Sequence, residues 1–414
     1  MIKVNHYSAD KIGGAARAAT RLHRALRENR GIDSRMIVLE KSNDDHTIHQ
    51  LNNGRAGHLC NAFYAAVDGI PRRITRSTDE VPRSAAWSSR LTAKKMNSSS
   101  CDVTHLHWIN GGLLSIEQIG KLTKPLVWTL HDMWAFCGSE HLATDSETAR
   151  WRTGYRERRK NSHFDLDRWA WKRKKKSWTR PMQIVAPSQW LADCVRQSEL
   201  MSSYPIHVIP NPLDTNSYKP MNKLAARGLL NLPRDRDLIL FGAINGTKLP
   251  YKGWDLLLPA LQEVGQLWPD ADAVVFGQGR PQSPPWLPFN VHWMGHVYDD
   301  FTLAALYSAA DVLVVPSRQE AFGQTGSEAQ ACGCPVVGFD ATGIRDVVSN
   351  GISGLLVKPY DASALAQAIL KLLGNKSLRE QFSLAARKRA IRLWSFENVS
   401  VQYENVYKRA IDEL

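Results

Sequence analysis

Two carboxylates, Glu320 and Glu328, stand eight positions apart in EAFGQTGSE (320–328). Carboxylates accept paired hydrogen bonds from vicinal hydroxyls. Eight residues is a little over two helical turns, so two helical glutamates would share one face. If Glu320 instead precedes the helix, the helix start falls near Phe322 and Gly323. Backbone N–H groups there can hold a phosphate between the two carboxylates, and a sugar and a ribose joined by a diphosphate would fit. Lys252, before Gly253, could neutralise phosphate charge, or it could simply be solvated. Gly13-Gly14 opens a helix after the first strand and lacks the GxGxxG spacing, so it is either an anion site or a plain tight turn. His131 and Asp132 end PLVWTLHD, and His105 and His107 end VTHLHW. Each histidine is a candidate for the ligand crevice or for packing among aromatics.

Those residues need strands to present them. DVLVVPS (311–317) precedes the two glutamates and CPVVGFD (334–340) follows, both short, apolar and β-branched, so the segment between predicts a turn and a crossover helix. In open parallel sheets ligands bind outside the carboxyl ends of the strands. Strands are predicted at IKVNHYS, SRMIVLE, VTHLHW, PLVWTLHD, QIVAPS and IHVIPN, with a helix over AARAATRLHRALREN. A second series runs DLILFGAI, ADAVVFGQG, VHWMGH, DVLVVPS, CPVVGFD and GLLVKP. This alternation predicts two consecutive parallel α/β units. Prolines and asparagines in IPNPLDTNSYKPMNK (209–223) mark the boundary. From residue 361 onward three segments are helical, each opening on an Asp or Ser that can cap. The expected domains are 1–210, 211–385 and a C-terminal helix over 386–414 packing back on the first.

At 414 residues the chain can bury two cores. With 43% apolar and 22% charged residues it is globular in composition. No apolar run reaches the length of a bilayer span. MIKVNHYSAD resembles a first strand rather than a signal peptide, which predicts a cytoplasmic protein, peripheral on the inner face of the plasma membrane if lipid binds. The six cysteines are scattered and expected to be reduced. The CxC of Cys332 and Cys334 matches no zinc spacing.

Net charge is +13 and the pI about 9.5, which favours an anionic partner. The charge concentrates in the Trp-rich stretch 133–180, which includes RERRK and WAWKRKKKSW. Three readings are open: a solvated basic face, an anionic membrane surface bound through 156–180, or nucleic acid, for which no recognised motif is present.

Taken together, EAFGQTGSE, EAQACGCPVVGFDATGIRDVV and NGISGLLVKP closely resemble the donor-site signature of retaining glycosyltransferases of family 4. The glycine loop, WTLHD, VAPS, VIPNPLDTNSYKP and YKG follow in that family's order. The resemblance covers nearly the whole chain. It implies a GT-B fold: two Rossmann-like parallel-sheet domains facing each other across a cleft, with C-terminal helices. It implies a nucleotide-sugar donor held mainly by the C-terminal domain and a glycan or lipid-linked acceptor held mainly by the N-terminal domain. By the same resemblance Glu320 contacts the transferred sugar, Glu328 holds the ribose, and His131 contacts the donor sugar near the reacting carbon. Lys252 stabilises the leaving diphosphate, with backbone at Gly13-Gly14 and Phe322-Gly323. Retention then occurs on one face without a protein nucleophile.

The family's pattern implies no metal and no cofactor, the nucleotide-sugar being a co-substrate. DLD (165–167) and DAD (270–272) are therefore expected to be incidental. Two departures stand out: Ala243 where relatives carry an arginine, for which Lys248 is the candidate replacement, and Pro212 where relatives carry glycine. The expected activity is a retaining hexosyl transfer in cell-surface polysaccharide or glycolipid synthesis, without a nucleic-acid partner. A GT-B epimerase or phosphorylase and a basic nucleic-acid-binding protein are the competing readings.

Overall fold

The computed structural model describes residues 1–9, 13–41, 45–51, 54–75, 81–159, 164–242 and 244–413. It divides into two units, 1–210 with 399–414, and 211–398. The first carries β1 (Lys3–Ser8), β2 (Asp33–Val38), β3 (Ile48–Gln50), β4 (Val103–Leu106), β5 (Leu126–Thr129), β6 (Gln183–Ala186) and β7 (Ile206–Val208) in the order β3-β2-β1-β4-β5-β6-β7. The second carries β8 (Asp237–Gly242), β9 (Ala271–Phe276), β10 (Val291–Trp293), β11 (Val312–Val315), β12 (Val336–Phe339) and β13 (Gly354–Val357) in the order β10-β9-β8-β11-β12-β13. Neighbouring strands pair in parallel throughout both sheets.

The residues explain this arrangement. Parallel strands joined by crossover helices are covered on both faces, so they must be apolar at every position. In the second unit Leu238, Leu240, Val274, Leu313, Val315 and Val336 bury on one face. Their chain neighbours Ile239, Phe241, Val275, Val312, Val314 and Val337 bury on the other. Strand order reverses between β1 and β4 in one sheet and between β8 and β11 in the other. Loops leaving such a pair turn to opposite faces and open a crevice at the carboxyl ends.

The last helix, Phe396–Asp412, places Val399, Tyr403, Val406, Tyr407 and Ala410 in the core of the first unit, a spacing that makes one helical face. The preceding helix, Lys376–Trp394, belongs to the second unit, where Trp394 is buried. Residue 386 therefore lies inside a helix, and the segment that joins the first unit starts at Val399.

Among the elements not read from the sequence are β3 and the helix Gly54–Asp68. β3 is three residues long. The helix Gly54–Asp68 has an inverted pattern: it buries Gly57, Asn61 and Asp68, while Leu59 and Phe63 are 71% and 63% exposed. Asn61 donates to the Leu39 carbonyl at 2.9 Å, and Asp68 accepts from the Trp87 and Ser88 amides.

Candidate active site

In the second unit the chain leaves β8, crosses a single 3₁₀ turn at Pro250–Lys252 and enters the helix Trp254–Leu267. Gly253 joins the two at φ 71°, in the left-handed region, and a β-carbon there would run into the Pro316 carbonyl. This close approach brings Lys252 beside the loop that leaves β11. Lys252 Nζ lies 2.7 Å from Glu320 Oε1, and Ser317 Oγ donates to the same oxygen at 2.8 Å. The Glu320 amide donates to Thr342 Oγ1 at 3.1 Å and its carbonyl accepts from the Gly343 amide at 2.9 Å. The side chains of Lys252 and Glu320 keep 21% and 16% of their surface open. Burial works against the ammonium charge of Lys252, but the Glu320 carboxylate outweighs it and raises the lysine pKa. A cation is thus held at the β8/β11 switch point.

Glu320 lies before the helix Gln324–Ala331, which separates its environment from that of Glu328. Gly323 opens the helix at φ 98° without a side-chain cap. Phe322 is buried edge-on against Trp394, ring centroids 6.1 Å apart, and anchors the loop. Glu328, on the second turn, is only 2% exposed and accepts from Tyr307 Oη at 2.7 Å. The two carboxylates do not share a helical face: one sits in a loop beside a lysine, the other in a helix beside a tyrosine. Ser317, Thr342 and Tyr307, which hold them, were missed. Only Ser317 carried a signal, closing the strand that presents Glu320.

In the first unit Gly13 precedes the helix Gly14–Arg30 in extended backbone, φ −73°, a conformation open to any residue. His131 follows β5, and its Nε2 lies 3.1 Å from His107 Nδ1. Asp132 binds neighbours on three sides: His141 Nδ1 at 2.6 Å, Trp108 Nε1 at 3.1 Å and the Trp134 amide at 2.8 Å. Burial alone would raise the Asp132 pKa, but His141, these hydrogen bonds and His131 hold it low. His107, Trp108, Leu130, His131, Asp132 and Trp134 line one concavity at the ends of β4 and β5.

His105 has a structural role. Its Nδ1 meets Tyr407 Oη and its Nε2 meets Thr129 Oγ1, each at 2.8 Å, tying the C-terminal helix to the sheet. Ligating atoms of His6, His105 and His107 lie within 4.8 Å of one another. Yet the His105–His107 and His6–His107 rings stack at 26° and 20°, and the nitrogens of His105 are occupied by hydroxyls. His6 Nδ1 and His107 Nε2 are moreover hydrogen-bonded to each other at 3.0 Å, so these nitrogens face one another rather than converging on one ion.

Other sequence candidates are placed elsewhere. Lys248 sits exposed in a turn, its amide bonded to the Asn245 carbonyl, and Ala243 lies outside the described residues. Asp165 caps the helix Leu166–Ser177 and pairs with Arg150, while Asp167 pairs with Arg83 at 3.1 Å. Asp272 binds Arg236 and His292. The cysteines are unpaired, and Cys332 and Cys334 are buried.

Part of the basic stretch is internal. Arg173 binds Glu117 and the Ala85 and Ala86 carbonyls. Lys174 is fully buried, with Nζ 3.6 Å above the Trp134 ring and donating to the Trp134, Cys137 and Gly138 carbonyls. Burial lowers its pKa to about 7. Lys175 pairs with Glu199 at 2.8 Å. Arg156, Arg158, Arg159, Lys172, Lys175, Lys176 and Arg180 are exposed, and residues 160–163 lie outside the described part.

Comparison with known proteins gives two family matches. Residues 12–217 match the model described as Glycosyltransferase Family 4, and residues 235–375 match Glycosyl transferases group 1. The D-inositol 3-phosphate glycosyltransferase of Xylanimonas cellulosilytica is 33% identical over 252 residues, 55% of this chain and 58% of that protein. The chain spans about half the length of the curated relatives it matches. Among solved structures, sucrose-phosphate synthase from Thermosynechococcus elongatus matches with a TM-score of 0.69 at 19% identity, covering all of both chains. Anabaena HepE in complex with UDP-glucose matches with a TM-score of 0.67 at 17% identity, again over both full chains. At these identities the two structures bear on fold alone.

Proposed function

Since the chain belongs to the group 1 glycosyltransferases of family 4, we propose that it moves a sugar from a nucleoside-diphosphate sugar to a glycan or lipid-linked acceptor with retention of anomeric configuration. The fold is GT-B, two parallel-sheet α/β units. The observation that carries the proposal is the Lys252–Glu320 pair at the carboxyl ends of β8 and β11. As the bond from the anomeric carbon to the diphosphate oxygen breaks, negative charge grows on the phosphates. Lys252 and the N–H groups of the first turn after Gly323 stabilise that charge, a fixed electrostatic field needing no reorganisation. Glu320 then accepts from sugar hydroxyls and Glu328 from the ribose. In the first unit, Gly13-Gly14 adds backbone N–H groups and His131 contacts the sugar. The acceptor oxygen bonds to the carbon on the face the diphosphate leaves, and its proton passes to the departing phosphate oxygen.

Phosphate charge is thereby met by a lysine and backbone dipoles, with no metal ion or cofactor. Transfer from a panel of UDP-, GDP- and ADP-sugars, followed by product stereochemistry, tests the reading. Activity with one donor that survives EDTA and gives the retained anomer is expected. Inversion, or activity abolished by EDTA and restored by a divalent ion, would overturn it.

The same reading places the acceptor at an anionic membrane, in cell-surface polysaccharide or glycolipid synthesis. No helix among the described residues is long and apolar enough to cross a bilayer. Support for surface binding comes from the cations of 156–180 that stay exposed, Arg173 and Lys174 being turned inward, and from the outward face of Gly54–Asp68. Leu59, Phe63, Ile70, Ile74 and Trp87 are exposed, with Arg55, Arg72 and Arg73 exposed among them. The helix Ile70–Thr75 also packs on Leu166–Ser177, which bears Lys172 and Lys176. Apolar side chains edged by cations suit an anionic lipid interface.

A further inference from the structure

Three imidazoles run in series inside the first unit. His6, on β1, places Nδ1 3.0 Å from His107 Nε2, and His107 Nδ1 lies 3.1 Å from His131 Nε2. The backbone fixes the middle ring: the His107 amide donates to the Tyr7 carbonyl at 3.0 Å, and its carbonyl accepts from Trp128 Nε1 at 3.1 Å. Leu130, beside His131, is pinned by its amide to the Val185 carbonyl at 2.8 Å. His6 and His107 are buried, and burial first, with neighbouring imidazoles second, holds both in the neutral form.

A neutral imidazole offers one N–H and one lone pair. The two nitrogen–nitrogen contacts must therefore share one direction. If the protons point toward His6, its Nε2 carries an N–H; if they point toward His131, His6 Nε2 is a bare lone pair. That atom is buried and has no hydrogen-bond partner among the described residues. A buried N–H without an acceptor is the rarer and costlier orphan, so the protons point toward His131, whose Nε2 accepts.

We infer that His6 and His107 are positioning residues that hold His131 as its Nδ1–H tautomer, so that it meets the donor sugar as a neutral N–H donor. The catalytic consequence rests on the reading of His131 as a sugar contact; the tautomer does not. The two other imidazoles packed against His6 have their nitrogens engaged elsewhere: His105 with Tyr407 and Thr129, and His23 with Ser34 and Thr47. The other charged groups near His131 are Asp132 and, through Asp132, His141.

Nitrogen-15 NMR of the full chain labelled at histidine reads the tautomer directly, with the His131 signals assigned by their loss in His131→Gln. The expected result is an N–H at His131 Nδ1 and a lone pair at Nε2. His107→Asn sets an amide N–H where Nδ1 stands and should keep both the tautomer and most of kcat. His107→Leu, which can neither donate nor accept, should lower kcat about tenfold with little change in donor KM. A proton on His131 Nε2 in the parent overturns the inference without any variant, and parent-like kcat in a folded His107→Leu protein overturns the positioning role where His131→Ala lowers kcat. Parent-like kcat in His131→Ala would instead remove the catalytic reading of His131 and leave the measured tautomer standing.

Discussion

Glu320 and Glu328 resemble each other in sequence and differ in surroundings. Glu320 sits half-buried beside Lys252 and Ser317 on a loop held by Thr342 and Gly343. If it binds the transferred sugar, its hydrogen bonds strengthen as the glycosidic bond breaks, so Glu320→Gln should lower kcat about 10- to 100-fold. Glu328 is buried against Tyr307; if it binds the ribose, it contributes alike to ground and transition states. Glu328→Gln should therefore mainly raise donor KM. Steady-state kinetics of both variants check this; if both are folded and kinetically like the parent, the carboxylates have no donor role. The glutamates and Lys252 were legible as candidates because each falls in a segment between a strand and a helix, while the roles given to them came from the family resemblance. Tyr307 and Thr342 were not, since each meets its glutamate through tertiary packing that leaves no local pattern. Lys174 shows the reverse error: in WKRKKKS it has the appearance of one solvated cation among several, yet Trp134 and three carbonyls bury it.

At the scale of elements, the strands were legible because a parallel strand covered on both faces is apolar at successive positions, as in LILF of β8 or VLVV of β11. The helix Gly54–Asp68 was not, because periodicity rules assume the apolar face points inward. Here a polar face docks through Asn61 and Asp68, and the apolar face is exposed. Water is a poor partner for that face. The full chain should therefore bind vesicles containing phosphatidylglycerol, more weakly as salt rises. Leu59→Asp with Phe63→Asp should release it with transfer to a soluble acceptor retained. Equal vesicle binding by this variant and the parent would remove the helix from the membrane reading.

Over the whole molecule, two sheets built on the same plan bring different chemistry to their switch points, a cation and carboxylates in one, imidazoles in the other. The buried imidazoles make stability depend on pH. Burial depresses His6, His105 and His107 well below their ordinary pKa and takes His23 to about 4. Below about pH 6.5 the unfolded chain binds protons that the folded one refuses. Their contribution to stability is therefore full above that pH and falls as pH drops below it, by about 1.4 kcal/mol per pH unit for each histidine. The midpoint of thermal unfolding should decline steeply from pH 6.5 to 5, and a flat profile there would show the rings to be protonated in the fold. In the proposed mechanism Lys252 meets the phosphates of the donor, a contact that calorimetry with UDP, GDP and ADP reads without any turnover. The parent should bind one of the three, Lys252→Met should bind that nucleotide about 10- to 100-fold more weakly, and Glu320→Gln should bind it as the parent does. Binding by Lys252→Met equal to the parent's would contradict the account.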